Sequence, residues 1–185
     1  ESLALKKYRL TDLINEVILK WSYCYHRFMN ALPWFERNLI FERPIAMLPY
    51  YLERLQGTMV RIESKVKGIP DDVLSCKPDG KWSVKQNIGH LAEVDKVANK
   101  RITEMLSGTA IMSPAVFEPH DYNSWSIDNV VELFCKNRKS NLEKYKSLSM
   151  AELQKSSLHP RLKSKMTPVD LAWLDAEHDD HHLVR

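Results

Sequence analysis

The sequence predicts an all-α protein: a four-helix bundle with a long crossover connection, plus an extra N-terminal helix. In several long segments apolar residues recur at spacings of three and four, and helix start signals precede most of these segments. No segment shows the apolar–polar alternation of a half-buried strand. The chain has 185 residues, enough to bury a core without disulfides or metal. We expect an N-terminal helical extension over 1–40 and the bundle over 41–185.

The first two bundle helices carry the clearest signals. The first helix is predicted over about 45–67 by one apolar stripe: Leu48, Leu52, Leu55, Met59, Ile62 and Val66. Gly68 and Pro70 end it. Ser83 is followed three residues later by Gln86, which is a capping box, so the second helix begins at Ser83 and ends near Gly108.

The third and fourth helices follow a loop over 109–125 that has no clear period and is long enough to be functional. Ser126 is the expected N-cap of the third helix. Thr167, Pro168 and Asp170 are a favoured start for the fourth. We expect short links before the second and fourth helices and one long link between the second and third, which suits a bundle with one crossover.

The N-terminal segment has its own helical stripe between Leu10 and Phe28. Three interpretations stay open. The segment is a peripheral helix packed on the bundle, a dimerisation arm, or upstream sequence before a start at Met29.

Composition and charge exclude several classes of function. The net charge of +3 is mild and scattered, so we expect no nucleic-acid partner. No apolar run reaches the length of a membrane span, and no secretory signal opens the chain. The three cysteines, Cys24, Cys76 and Cys135, are odd in number and far apart, which is typical of reduced thiols in a cytoplasmic protein.

Histidines are the residues that point to chemistry. There are seven, and three of them lie in the last eight residues. His178 and His182 are four positions apart, the helical spacing with which one face chelates a divalent metal. His181, three positions after His178, could take the place of His182. A surface or helix-capping role for these histidines is equally compatible with the spacing.

His90 completes a possible triad. It lies about two turns into the second helix. If the second and fourth helices are antiparallel neighbours, His90 reaches the level of His178 and His182. Three neutral imidazoles suit a divalent ion, zinc or nickel before copper or iron. On its own, His90 reads as an ordinary buried or boundary histidine.

Acidic residues near the triad have two readings each. Glu93, one turn after His90, could be a catalytic base or a hydrogen-bond acceptor for a ligand. Asp179 and Asp180 could orient imidazoles. For all three acids the alternative is a solvated face or an ordinary salt bridge, and for Asp179 this alternative is favoured.

The remaining histidines have structural readings. His159 precedes the fourth helix and is expected to anchor a loop with Pro160 and Arg161. His120 and Tyr122, in the long loop, either overhang the site or are ordinary loop residues. His26 reads as a surface or packing residue of the N-terminal helix.

Two motifs resemble those of the DinB-like superfamily, the DinB/YfiT-type metalloenzymes. They are KWSVKQNIGHL over 81–91, and LHPRL over 158–162 followed by the helix from Thr167 to Leu183. The similarity covers roughly 34–185. It implies a four-helix bundle with a crossover, often dimeric, and a divalent metal held by one histidine of the second helix and two of the last. Carried over, these ligands are His90, His178 and His182. Relatives use bacillithiol or mycothiol in thiol-dependent transfer, or isomerise maleylpyruvate with mycothiol.

The function predicted from these residues is a metal-dependent transferase or hydrolase acting on small molecules, with a low-molecular-weight thiol as a possible co-substrate. We expect a cytoplasmic homodimer in which Glu93 is the candidate catalytic residue. The alternative is a non-catalytic, stress-related bundle that binds metal or a small molecule. A third reading is an interaction bundle whose histidines are incidental.

Overall fold

The structure is a computed structural model that describes residues 32–118 and 120–185. The chain divides into two compact units, 1–37 and 38–185. In the described part of the first unit, a 3-10 turn spans Trp34–Glu36, and the Arg37 guanidinium lies 5.3 Å from the Trp34 ring centroid. The helix predicted between Leu10 and Phe28 falls outside the described residues, so the 1–40 extension stays a prediction.

The second unit contains the predicted bundle. Its four long helices are α1 (Leu48–Val66), α2 (Val84–Leu106), α3 (Ile127–Lys146) and α4 (Pro168–Leu183). A 3-10 turn at Ile45–Met47 directly precedes α1. The connections contain one-turn α-helices at Asp71–Leu74 and Met150–Leu153 and 3-10 turns at Pro78–Gly80 and Tyr122–Ser124. The all-α fold class is confirmed. Among the described residues, no helix combines the length and apolar character needed to cross a bilayer.

The helix starts agree with the cap signals in the sequence. The Ser83 hydroxyl accepts from the backbone N–H of Gln86, and the Gln86 side chain accepts from the Ser83 N–H, both at 3.1 Å. Thr167 and Asp170 form the same reciprocal pair at the start of α4. Ser126 caps α3 through the N–H of Asn129. Each cap satisfies donors that a helix start leaves unpaired.

The helices are arranged so that consecutive ones are not always neighbours. α1 packs against α3 and α4, and α2 also packs against α3 and α4. α1 and α2 therefore occupy opposite corners. The core between them includes the buried apolar residues Ile62, Ile88, Leu91, Ala92, Val130 and Phe134. This arrangement places the start of α2 beside the end of α4.

The connections differ from the expected short and long links. They span 67–83, 107–126 and 147–167, so all three are long. The first and third links contain their own one-turn helices. A long connection is needed when the next helix lies at the opposite corner of the bundle. The turn residues in the sequence mark where each helix ends, but they do not show how far the chain must travel before the next helix begins.

A small hairpin lies before α4, although the sequence shows no strand pattern. β1 (Ser157–Leu158) pairs antiparallel with β2 (Lys165–Met166), and Ile111 bridges to Leu158. Two residues per strand are too few for alternation to be visible. In the turn, the Nδ1 atom of His159 accepts from the backbone N–H groups of Arg161 and Leu162 at 3.2 and 3.1 Å. His159 is thus a loop anchor, as the sequence predicted.

Candidate metal centre

Three histidine side chains converge where the start of α2 meets the end of α4. One ring nitrogen from each of His90, His178 and His182 can be chosen so that all three lie within 4.8 Å of one another. The Nε2 atoms of His178 and His182 are 3.2 Å apart. Tetrahedral zinc with Zn–N bonds of about 2.0–2.1 Å places its ligand nitrogens about 3.4 Å apart. The donor set therefore has the chemistry and the approximate spacing of a three-histidine metal site.

The protonation of the histidines also suits a cation. Burial lowers the pKa of His90 to about 4. Burial, assisted by the neighbouring His90 and His181, lowers the pKa of His182 to about 3. Because both values lie well below neutral pH, these rings are neutral and each has a nitrogen lone pair to offer.

Asn87 determines which nitrogen of His182 carries its proton. Its Nδ2 donates to the carbonyl oxygen of Ser83 at 2.8 Å, and this turns its Oδ1 toward His182. The Nδ1 atom of His182 lies 2.7 Å from that Oδ1 and is therefore the donor. The lone pair of His182 is left on Nε2, which faces His178.

The structure chooses between the histidines at the end of α4. His182 belongs to the converging group, whereas His181 is only 3% exposed and does not. The ring of His181 packs against that of His182, with centroids 5.3 Å apart. The geometry thus selects the spacing of four residues from His178 over the spacing of three.

The two aspartates between His178 and His182 form salt bridges with arginines. Asp179 pairs with Arg138, and Asp180 pairs with Arg54 and Arg61. The salt-bridge reading holds for both, and the suggestion that they orient imidazoles is not supported by these contacts. The residue that orients the His182 ring is Asn87, which the sequence analysis did not single out. The one signal in the sequence was the position of Asn87, one helical turn before His90.

Two aromatic side chains border the triad. The Trp82 ring lies 5.0 Å from that of His90 and stacks at 6.0 Å on that of His182. The Phe117 ring, from the loop after α2, lies 4.9 Å from His90. Trp82 is 51% exposed and Phe117 41% exposed, so the triad has an apolar rim next to solvent. His120, from the same loop, is exposed and contacts Glu118 instead.

The loop also places Tyr122 against α2, where its ring packs on Gly89, the residue before His90. A Cβ atom on Gly89 would lie 2.3 Å from the Tyr122 ring, so only glycine permits this approach. The Tyr122 hydroxyl donates to Oε1 of Glu93 at 2.8 Å. Burial and this carboxylate raise the pKa of Tyr122, which keeps its proton. Glu93, the candidate base, is therefore held by Tyr122 on the helix that carries His90.

Behind the triad, all four helices meet at a buried arginine. The Nε of Arg138 donates to both carboxylate oxygens of Asp95, and its Nη atoms donate to Asp179 and to the carbonyl oxygen of Leu55. Thr58 also donates to Asp179. We call Arg138, Asp95 and Asp179, with Thr58 and Asn141, the Arg138 cluster. Each of these side chains is at most 1% exposed.

The described cysteines do not add a nucleophile to the site. Cys76 and Cys135 are free thiols. Burial and the nearby carboxylate of Glu63 raise the pKa of Cys135, which disfavours its thiolate. Cys24 lies outside the described residues.

Comparisons with known proteins agree with this fold. The sequence model of the DinB superfamily matches residues 54–184, a range that includes all three converging histidines. YfiT from Bacillus subtilis, described as a probable metal-dependent hydrolase with an unusual four-helix bundle topology, superposes with a TM-score of 0.67 at 19% identity, covering 85% of this chain and 90% of YfiT.

A second solved structure is a mycothiol-dependent maleylpyruvate isomerase. It superposes with a TM-score of 0.59 at 12% identity, covering 74% of this chain and 59% of the isomerase. No curated protein sequence matches the chain. At these identities the two structural likenesses establish the fold, and the chemistry has to be argued from this chain's own residues.

Proposed function

Because the chain belongs to the DinB superfamily, we propose that it is a divalent-metal-dependent enzyme whose ion is held by His90, His178 and His182. The observation that carries the proposal is the convergence of three imidazole nitrogens within 4.8 Å. Three neutral protein ligands leave a coordination position for a substrate, which is the pattern of catalytic rather than structural zinc sites. Zinc and nickel are the ions we expect first.

The proposed chemistry is transfer or hydrolysis on a small molecule. A divalent ion in this position supplies a Lewis acid, which favours a thiolate or an activated water at neutral pH. The rims formed by Trp82 and Phe117 offer apolar contact to the organic part of a substrate. Glu93 has one oxygen occupied by the Tyr122 hydroxyl, which leaves Oε2 to accept a proton.

A low-molecular-weight thiol is the co-substrate we propose. Support comes from the fold shared with a mycothiol-dependent isomerase. It also comes from the chain itself, because neither of the described cysteines, Cys76 and Cys135, belongs to the converging group. A thiol reaction at the triad would therefore take its sulfur from a bound small molecule.

The first experiment measures metal content. Protein purified without a histidine tag is analysed by mass spectrometry as the unmodified chain, as His178→Ala, and as His120→Ala, a loop histidine outside the triad. We expect about one ion per chain in the first and third proteins, and at least about a tenfold loss in His178→Ala. Equal metal in all three, or none after incubation with zinc or nickel salts, would rule out the site.

The second experiment tests catalysis in the metal-loaded protein. A small thiol and a small electrophile are incubated with the same three proteins, and loss of free thiol is followed. Turnover that is absent only from His178→Ala supports the transferase. Bound metal without thiol consumption in any of the three proteins would contradict the thiol transferase and favour the non-catalytic binding bundle.

The quaternary structure and the location are part of the proposal. We propose a homodimer that works in the cytoplasm, with the N-terminal segment as the extension over 1–40. Light scattering of the full chain measures the mass in solution, and a monomer at micromolar concentration would contradict the dimer.

A further inference from the structure

A second pocket lies on α2, well away from the histidines. It has a volume of about 150 Å³ and is lined by Lys96, Lys100 and Arg101 of α2 and by Ser113, Pro114 and Val116 of the loop that follows. Lys100 comes ten residues after His90 on the same helix, a separation of about 15 Å along the axis. The pocket is therefore distinct from the candidate metal centre.

The lining of this pocket is strongly positive. Three of its side chains are cations, and no carboxylate is among the described residues that line it. Lys96 and Lys100 are exposed, so they can turn toward a ligand. Several cations around one concave surface raise the local concentration of anions.

The adjacent carboxylate of Glu104 is already engaged. Its Oε2 accepts from the backbone N–H of Ser113 at 2.9 Å, and its Oε1 accepts from the Ser113 hydroxyl. Lys100 reaches Glu104 only at 3.9 Å, the outer limit of an ion pair. Glu104 thus fixes the loop that forms one wall, and it neutralises the three cations only in part.

Arg101 supplies a buried donor that still lacks an acceptor. The residue is 9% exposed, and within 32–118 and 120–185 its Nε has no hydrogen-bond partner. Arginine stays protonated in proteins, so this donor cannot be removed by losing a proton. Burial does lower the pKa of Arg101, and the carboxylates of Asp175 and Glu104 act in the opposite sense. The guanidinium therefore keeps a positive charge beside the pocket that the protein compensates only in part.

We propose that this pocket binds a small oxyanion, the carboxylate or phosphate group of a small-molecule ligand. Guanidinium groups recognise both through paired N–H donors, and lysines add charge without fixed geometry. A cavity of about 150 Å³ accommodates a molecule the size of benzene, so one such group with a few attached atoms fits.

The test is calorimetric titration of the full chain at low ionic strength, with inorganic phosphate and succinate as separate probes. The variant is Lys96→Gln with Lys100→Gln. Its control is Lys139→Gln with Lys146→Gln, which removes the same charge from exposed positions of α3. We expect equal affinity in the unmodified chain and the control, and at least about a tenfold loss in the pocket variant. The stronger of the two probes identifies the preferred group.

Two further variants make the outcome decisive. His178→Ala should bind the probes as the unmodified chain does, which separates this pocket from anions held by a metal. Arg101→Gln, checked for folding by circular dichroism, should weaken binding as the lysine pair does. No binding at low salt, or equal binding in the lysine-pair variant and its control, would overturn the proposal, whatever the histidines do.

Discussion

The end of α4 carries two polar groups of residues that have different surroundings. His178 and His182 meet His90 near an exposed aromatic rim. Asp179, one residue from His178, belongs to the Arg138 cluster, where each carboxylate oxygen of Asp179 accepts from the guanidinium. In the cluster, the guanidinium of Arg138 is paired with the carboxylates of Asp95 and Asp179 inside the protein. In the triad, one ring nitrogen from each histidine lies within 4.8 Å of the others, an arrangement that either a shared proton or a divalent cation can bridge.

This difference distinguishes a structural ion pair from a candidate functional site within one short segment. A buried ion pair is costly to break and carries little information about function. Three imidazoles that converge at a half-buried position add little to stability beyond one hydrogen bond, and they are the ligands that a divalent ion prefers. Perturbation of the cluster should therefore affect mainly the free energy of unfolding, and perturbation of the triad should affect mainly metal affinity.

The largest effect is expected from Arg138→Met. It removes the cation and leaves Asp95 and Asp179 buried beside each other without it, which should lower the free energy of unfolding by about 3–5 kcal/mol. Urea denaturation measures this change. Lys139→Met, at the exposed neighbouring position, should change it by less than about 0.5 kcal/mol. A loss below about 1 kcal/mol for Arg138→Met would mean that the cluster does not stabilise the bundle.

Asp175 is expected to make stability depend on pH. Burial, together with Asp95, raises the pKa of Asp175 to about 8. The folded chain then retains a proton that the unfolded chain releases near pH 4, so stability falls as pH rises toward the folded pKa. Between about pH 5 and about pH 8 this contribution is on the order of 3 kcal/mol.

Asp175→Asn removes this titration and is the direct test. Its free energy of unfolding, relative to that of the unmodified chain, should rise as pH increases across the same window. Asp72→Asn, at an exposed position, should leave the pH dependence unchanged. Parallel curves for Asp175→Asn and the unmodified chain would show that Asp175 ionises normally.

Substitution of a triad histidine should remove the stabilisation by metal but hardly change the stability of the metal-free chain, which is the opposite of the effect expected for the Arg138 cluster. Zinc or nickel at about 100 times its dissociation constant should stabilise the unmodified chain by about 2.7 kcal/mol. His178→Ala should lose that gain, although its metal-free stability stays within about 1 kcal/mol, because the residue is only half-buried. Thermal denaturation with and without metal gives both values. If metal still stabilised His178→Ala but no longer stabilised His120→Ala, the metal would bind outside the triad and the proposed site would be wrong.

Asn87→Ala tests whether the partner of His182 matters to the metal. Loss of the hydrogen bond to Nδ1 should weaken metal affinity by about 10- to 100-fold. Asn137→Ala is the matched control, because its amide also donates to a backbone carbonyl, that of Ala92, at 2.8 Å. Both variants should lose similar stability, and only the first should lose affinity in a competition titration. Equal affinities would leave Asn87 with a capping role alone.

The sequence was sufficient for features that depend on short spacings. The capping residues Ser83 and Thr167 each act on a partner three positions away, and His178 and His182 share a helix face by their spacing. Bringing His90 to them required one further assumption, the antiparallel packing of two helices. The structure has that packing, which is why the candidate triad could be formulated in advance.

The Arg138 cluster could not be predicted because its pairs are distant in the sequence. Arg138 and Asp95 are 43 positions apart, and Arg138 and Asp179 are 41 apart. The signal available was an interruption of two apolar stripes. Asp95 occupies a core-facing position between Leu91 and Ala98, and Arg138 lies midway between Phe134 and Leu142. Charges at core positions of two helices indicate a buried pair, but they do not identify the partners.

Tyr122 is a third case, since a loop has no periodicity from which to predict burial. The residue is 5% exposed and its hydroxyl donates to Glu93. Tyr122→Phe keeps the ring against Gly89 and removes this bond, so the free energy of unfolding should fall by only about 1 kcal/mol. Tyr50→Phe, at a position that is 65% exposed, should have no effect in the same urea titration.

The same substitution tests Glu93 separately from the candidate metal ligands. The Tyr122 hydroxyl donates a hydrogen bond to Glu93, the candidate base, and to none of the three converging histidine nitrogens. Tyr122→Phe should therefore leave metal content unchanged while lowering the rate of turnover, because the Glu93 carboxylate loses the hydrogen bond that positions it. An unchanged rate, together with the expected loss of stability, would assign the Tyr122–Glu93 pair to holding the loop on α2, as the Arg138 cluster holds the helices together.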